Sequence, residues 1–139
     1  MTRTTSKLEA GLTLIELLTV VGIVGILAAV AYPIFFEQAA KGRRTEARAL
    51  VYEVLQHEER FYTENNTYTV DLTALGYPAA LETDHNTHSI GLAVGPTGAL
   101  ATSVQITGTA IVPDDKCLTL TLTSTHARTA TGTQPAICW

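Results

Sequence analysis

Positive charge is in short supply. Lys and Arg number nine against thirteen Asp and Glu, a formal charge of −4, and beyond Arg60 only Lys116 and Arg128 are basic. The basic stripe that marks a nucleic-acid binder is therefore not evident. Cysteine is scarcer still: Cys117 and Cys138 lie far apart and match neither a CxxC redox pair nor a zinc-site spacing. A single structural disulfide is the simpler reading, and it implies an oxidising compartment such as a periplasm or cell surface. Recognisable chemistry is missing too. No nucleophile motif surrounds either cysteine or His57, His85, His88 and His126, so catalysis is not expected. Asp84-His85-x-x-His88 lacks a third and fourth ligand, and Asp114-Asp115 lacks the alternating acidic pattern of a calcium loop. Neither a metal nor a cofactor is expected, and the two Asp read as turn formers. The 139 residues leave room for about one domain, with no linker long enough to suggest a second.

Apolar residues are plentiful but unevenly placed. They make up 46% of the chain, and residues 12–36 read LTLIELLTVVGIVGILAAVAYPIFF, with one charge. An apolar run of about 20 residues spans a bilayer as a helix. Three fates compete for such a segment: a cleaved secretory signal, an uncleaved anchor, or a segment processed on the cytoplasmic side and retained. The run is too long for an ordinary signal peptide and continues directly into a helical pattern, so removal of the whole segment is not expected. What precedes it is a short polar leader, MTRTTSKLEAG, which could be lost without losing the anchor. Its loss would leave seven basic and twelve acidic residues, a charge of −5.

The junction Gly11-Leu12-Thr13-Leu14-Ile15-Glu16-Leu17-Leu18 resembles the class III signal of type IV pilins and pseudopilins. The resemblance implies a membrane-embedded prepilin peptidase that cuts after Gly11 and methylates the new amino terminus at Leu12, where Phe is the usual residue. It also implies a role for Glu16, the fifth residue after the cut, as an assembly contact with the positively charged amino terminus of a neighbouring subunit. Elementary energetics point the same way, because a carboxylate in the bilayer interior costs about 2.5–3.5 kcal/mol even on a lenient insertion scale and calls for a partner. Gly22, Gly25, Ala28, Ala29 and Ala31 offer small side chains for close helix approach. Pro33 removes a backbone N–H and is expected to kink the helix; by resemblance, residues 25–33 would loosen when packed in a filament.

Residues 37–62 change to an amphipathic pattern, with Ala47, Leu50, Val51, Val54, Leu55, Phe61 and Tyr62 at three- and four-residue spacing. Lys41, Arg43, Arg44 and Arg48 outweigh Arg3 and Lys7 and, by the positive-inside rule, would place the C-terminal part in the cytoplasm. The cysteines and the junction motif argue for the opposite orientation, and the resemblance assigns this basic cluster to lipid headgroups or neighbouring subunits. The stretch ERFYTENNTYT, followed by ALGYP, is similar to the E-type branch of type IV pilins. Alternating runs at 88–94, 101–107 and 117–123 read as antiparallel strands, with a last strand within 125–131. Joining Cys117 to Cys138 would stabilise the chain by some 3 kcal/mol.

The expected architecture is α+β: a long N-terminal helix, transmembrane in its first half, packed by its second half on a small antiparallel sheet of about four strands. The expected parts are a cleaved leader (1–11), a transmembrane and filament-core helix (12–36), its amphipathic continuation (37–62), and a loop plus sheet with a disulfide-bounded end (63–139). The resemblance implies a structural, minor or accessory pilus subunit held in the inner membrane with its C-terminal domain periplasmic. Its partners would be other pilin subunits, prepilin peptidase and the inner-membrane assembly machinery, and its polymer would serve adhesion, twitching motility or DNA uptake. Direct nucleic-acid binding is not expected. The alternatives are a pseudopilin of a type II secretion system, a DNA-binding competence pilin, and, more remotely, a membrane-anchored periplasmic enzyme.

Overall fold

A computed structural model describes residues 13–139. They fall into two compact units, one ending at Gln38 and the other Ala39–Trp139. A single helix, α1 (Leu14–Asn65), contributes to both and runs unbroken through Pro33. It starts on Thr13, whose hydroxyl accepts a hydrogen bond from the Glu16 amide at 3.3 Å. A Thr followed three residues later by Glu is the pattern that satisfies the free amides of a helix start. It ends three residues later than the sequence pattern suggests, where Asn66 takes a left-handed conformation with φ 55°. Asn tolerates that region better than most residues and so serves as a stop.

Within the second unit, α1 turns one stripe inward: Ala40, Arg44, Ala47, Val51, Val54, Leu55 and Glu58. The three- and four-residue spacing is that of one helix face. After a 3-10 turn at Leu72–Leu75 come five strands: β1 (Leu81–Glu82), β2 (His88–Val94), β3 (Val104–Ala110), β4 (Thr119–Thr123) and β5 (Arg128–Thr131). They form one antiparallel meander in the order β1-β2-β3-β4-β5. This is the expected α+β fold with one extra, two-residue strand at the edge. The strand expected at 101–107 begins three residues later. The preceding residues are taken up by a loop closed by the bonds Gly95 N to Ser103 O and Ser103 N to Ala99 O.

The inner sheet face carries Ile90, Val104, Ile106 and Leu122, which join Val51, Val54, Leu55, Tyr68, Leu72, Leu75 and Leu81 in one core. Each fully buried side chain of this size contributes roughly 1.5–3 kcal/mol. Gly108 faces the helix across this core: a Cβ there would sit 3.4 Å from Val51 Cγ2 and 3.5 Å from Ile90 Cδ1. A second cluster, Ala47, Leu120, Cys117 and Cys138, extends the core toward the C-terminus.

Candidate functional site

Three places in the chain carry more than packing. The first is the apolar length of α1. Every large apolar side chain between Leu14 and Phe36 is at least half exposed, and the helix is long and apolar enough to cross a membrane. From Leu14 to Phe36 it rises about 33 Å at 1.5 Å per residue, against roughly 30 Å of bilayer hydrocarbon. Glu16 is the one charge in that stretch and sits in the first turn, where a carboxylate is favoured by the positive end of the helix dipole. Gly11 and Leu12 lie outside the described residues.

The second is a polar knot between α1 and the β3–β4 connection. Arg44, on the inward stripe of α1, is buried and forms a two-pronged pair with Asp114: Nε to Oδ2 at 2.7 Å and Nη2 to Oδ1 at 2.8 Å. Hydrogen bonding to Arg44 holds the Asp114 carboxyl below its ordinary range, against the opposing effect of burial. This corrects two readings from the sequence. Arg44 is not part of a solvent- or lipid-facing basic cluster, and Asp114 is more than a turn former. His88 is buried beside them with Nδ1 3.2 Å from the Thr87 hydroxyl. Burial pushes its pKa down, while Asp114 and Glu46 pull the other way. The Asp84-His85-x-x-His88 run is not drawn together: His85 is engaged by Glu46, with its amide and Nδ1 at 3.1 and 3.2 Å from Glu46 Oε1. Among the described residues no group of three or more His, Cys, Asp or Glu is placed to hold a metal.

The third is the closed end of the sheet. Cys117 and Cys138 form a disulfide, with Cα atoms 5.7 Å apart and both residues fully buried. The bond leaves no free thiol in the chain. It sets the last residue, Trp139, against the edge strand β5, where its indole N–H donates to Thr129 O at 2.7 Å. The ring meets Tyr52 edge-on at 6.0 Å, and the Arg128 guanidinium lies over both rings. An edge strand exposes a row of unpaired backbone groups, and covering it guards against pairing with another chain. Gly132 lets the chain cross here, since a Cβ would collide with the Lys116 carbonyl oxygen and its φ is 137°.

A family described as type IV minor pilin ComP, DNA uptake sequence receptor, matches residues 33–121, and the prokaryotic N-terminal methylation motif matches residues 6–32. The chain belongs to the type IV minor pilin ComP family. Fimbrial protein EcpC of Eikenella corrodens is 29% identical over 114 residues, 82% of this chain and 74% of that protein. The type IV major pilin protein PilE of Neisseria gonorrhoeae is 38% identical over 71 residues, 51% of this chain and 42% of PilE. The type IV major pilin protein PilA of Myxococcus xanthus is 36% identical over 67 residues, 48% and 30% of the two chains. Against these two major pilins the alignment spans less than half of the relative's length. This pilin is a structural subunit of a type IV pilus, assembling with other pilins, and its exposed apolar helix is its membrane anchor.

Proposed function

We propose that the chain is made as a precursor, cut after Gly11 by prepilin peptidase, methylated at Leu12, and held single-pass in the inner membrane with its sheet domain in the periplasm. The assembly machinery then lifts it into the filament as a minor subunit, where Glu16 pairs with the terminal amine of a neighbour. The observation that carries this reading is the lone Glu16 carboxylate in the otherwise apolar, exposed first part of α1, residues 14–36, which begins within two residues of Leu12. In low dielectric an opposite charge at that depth both lowers the cost of the carboxylate and fixes register. The disulfide supports the periplasmic side, because stable disulfides form in oxidising compartments. Intact-mass spectrometry of sheared filaments and of membranes from the same cells tests the whole sequence of events. A methylated species starting at Leu12, two hydrogens lighter than the dithiol, is expected in filaments. Full-length protein confined to membranes would overturn the proposal.

A second reading is favoured by the matched family's description as a DNA uptake sequence receptor. Direct DNA contact would fall to cations on the surface, and Arg44 is removed from that set by Asp114. Of the cations that remain, Lys41, Arg43 and Arg48, grouped on α1, and Arg128 beside Tyr52 and Trp139 are the candidates. Duplex binding titrated across salt separates the readings, since each phosphate neutralised adds to the slope of log affinity against log salt. Binding that survives Lys41→Ala, Arg43→Ala, Arg48→Ala and Arg128→Ala together would reject these residues as the contact.

A further inference from the structure

The inward stripe of α1 carries two charged residues, and they are treated in opposite ways. Arg44 meets a carboxylate, Asp114. Glu58, one turn beyond Val54 and fully buried, meets no such counter-charge: the neighbouring charge acting on it is a second carboxylate, Glu59. Its Oε2 accepts a hydrogen bond from the backbone N–H of Thr69 at 3.1 Å, and its Oε1 has no partner among the described residues. The segment it holds is the turn directly after the helix. Tyr68 in that segment donates its hydroxyl to Glu59 Oε1 at 3.1 Å, stacks on Tyr62 at 4.6 Å, and donates its amide to Leu100 O at 3.0 Å. Asp71, three residues on, caps the 3-10 turn through the Thr73 amide. The Thr69 bond thus joins α1 to a segment that also reaches the loop before β3.

We propose that Glu58 is a proton-operated latch: its neutral carboxyl keeps residues 66–71 docked on α1, and its ionisation loosens them. A neutral carboxyl needs no counter-ion and still offers one oxygen to the Thr69 amide, whereas a buried carboxylate with one hydrogen bond is far more costly to desolvate. Acting on it are the Glu59 carboxylate on α1 and the Thr69 amide in the docked segment, neither of which supplies a positive charge. Burial raises the Glu58 pKa most, the Glu59 charge adds to that, and the Thr69 bond opposes; the balance lies at about 7. The latch therefore works within the range a bacterial surface meets. An apolar residue at 58 would bury as well as its stripe neighbours, so the carboxyl is placed here at a cost that packing alone does not require.

The test is hydrogen exchange on the full chain in detergent micelles or nanodiscs, corrected for the intrinsic pH dependence of exchange, at pH 6 and pH 9. Protection of residues 66–71 is expected to fall about tenfold in the wild type, with β3 changing less. Glu58→Gln keeps the shape and an acceptor for Thr69 and is expected to flatten that fall; it leaves His88 in place, so any histidine contribution is common to both proteins. Equal protection at the two pH values in the wild type, or the same fall in the variant, overturns the latch. Should Glu58→Gln fail to fold, carboxyl-carbon NMR of the wild type decides it: a Glu58 midpoint in the ordinary carboxylate range overturns the proposal, and one near neutrality upholds it.

Discussion

Removing the disulfide should loosen one end of the sheet, and the chain contains its own reporter of that event. Cys117 and Cys138 are 21 residues apart in sequence. In the chain-entropy model a cross-link closing a loop of this length stabilises the folded state by roughly 3 kcal/mol. Two buried sulfurs replaced by alanine would add a small packing loss, since both cysteines are fully buried against Ala47 and Leu120. The sole tryptophan, Trp139, follows Cys138 directly and is held by the Thr129 carbonyl and the edge of Tyr52. Cys117→Ala/Cys138→Ala should therefore lower stability by about 3–4 kcal/mol in denaturant titration. Its tryptophan emission should shift to the red in native buffer, before any global unfolding. Dithiothreitol should reproduce both effects in the wild type and neither in the variant. A loss below about 1 kcal/mol together with unchanged emission would refute the claim that the disulfide holds the tail on β5.

Asp114→Ala should cost about 3–5 kcal/mol in the same titration, because it strips a buried guanidinium of its carboxylate; Arg44→Met/Asp114→Ala should recover much of that loss, and a double variant no better than the single would count against the pair. His88 has a pKa held below 6.5 by burial, so its contribution is present above pH 6.5 and is lost as acid forces the proton on; His88→Gln should flatten the melting temperature between pH 6.5 and 5. Glu58 acts in the opposite sense. With its pKa raised from 4.5 to about 7, its contribution is full below pH 4.5 and is lost as pH rises through 7, by at most roughly 3–4 kcal/mol, and thermal melts of Glu58→Gln against wild type measure it. Glu16→Val should leave the subunit in the membrane fraction and absent from sheared filaments. Thr13→Ala, which removes only the helix cap, should leave incorporation intact; equal defects in both would mean that Glu16 acts through helix initiation rather than assembly.

The helix and the strands were legible in the sequence because each rests on a short-range signal, and the disulfide because the chain has only two cysteines. An apolar run of membrane length, a three-and-four spacing in 47–62 and an alternation in 88–94 are properties of consecutive residues. Thr13 is local as well: Thr13-x-x-Glu16 is a capping pattern that stands in the sequence, overlapping the motif that makes Glu16 an assembly contact by resemblance. The polar knot is different in kind. Arg44 and Asp114 are 70 residues apart, each sits in a charged neighbourhood that suggests a solvated surface, and only the crossing of α1 under the sheet end brings them into one buried pair. Glu58 lies between these cases. Its position three and four residues from Leu55 and Val54 places it on the inward stripe, so its burial follows from periodicity. What periodicity does not reveal is whether a counter-charge arrives from elsewhere in the chain. For Arg44 it does, and the pair fixes how the helix meets the sheet end; for Glu58 the fold brings a backbone amide and a second carboxylate. A seam position can therefore be identified from spacing alone, but whether its charge serves register or proton sensing is decided by tertiary structure.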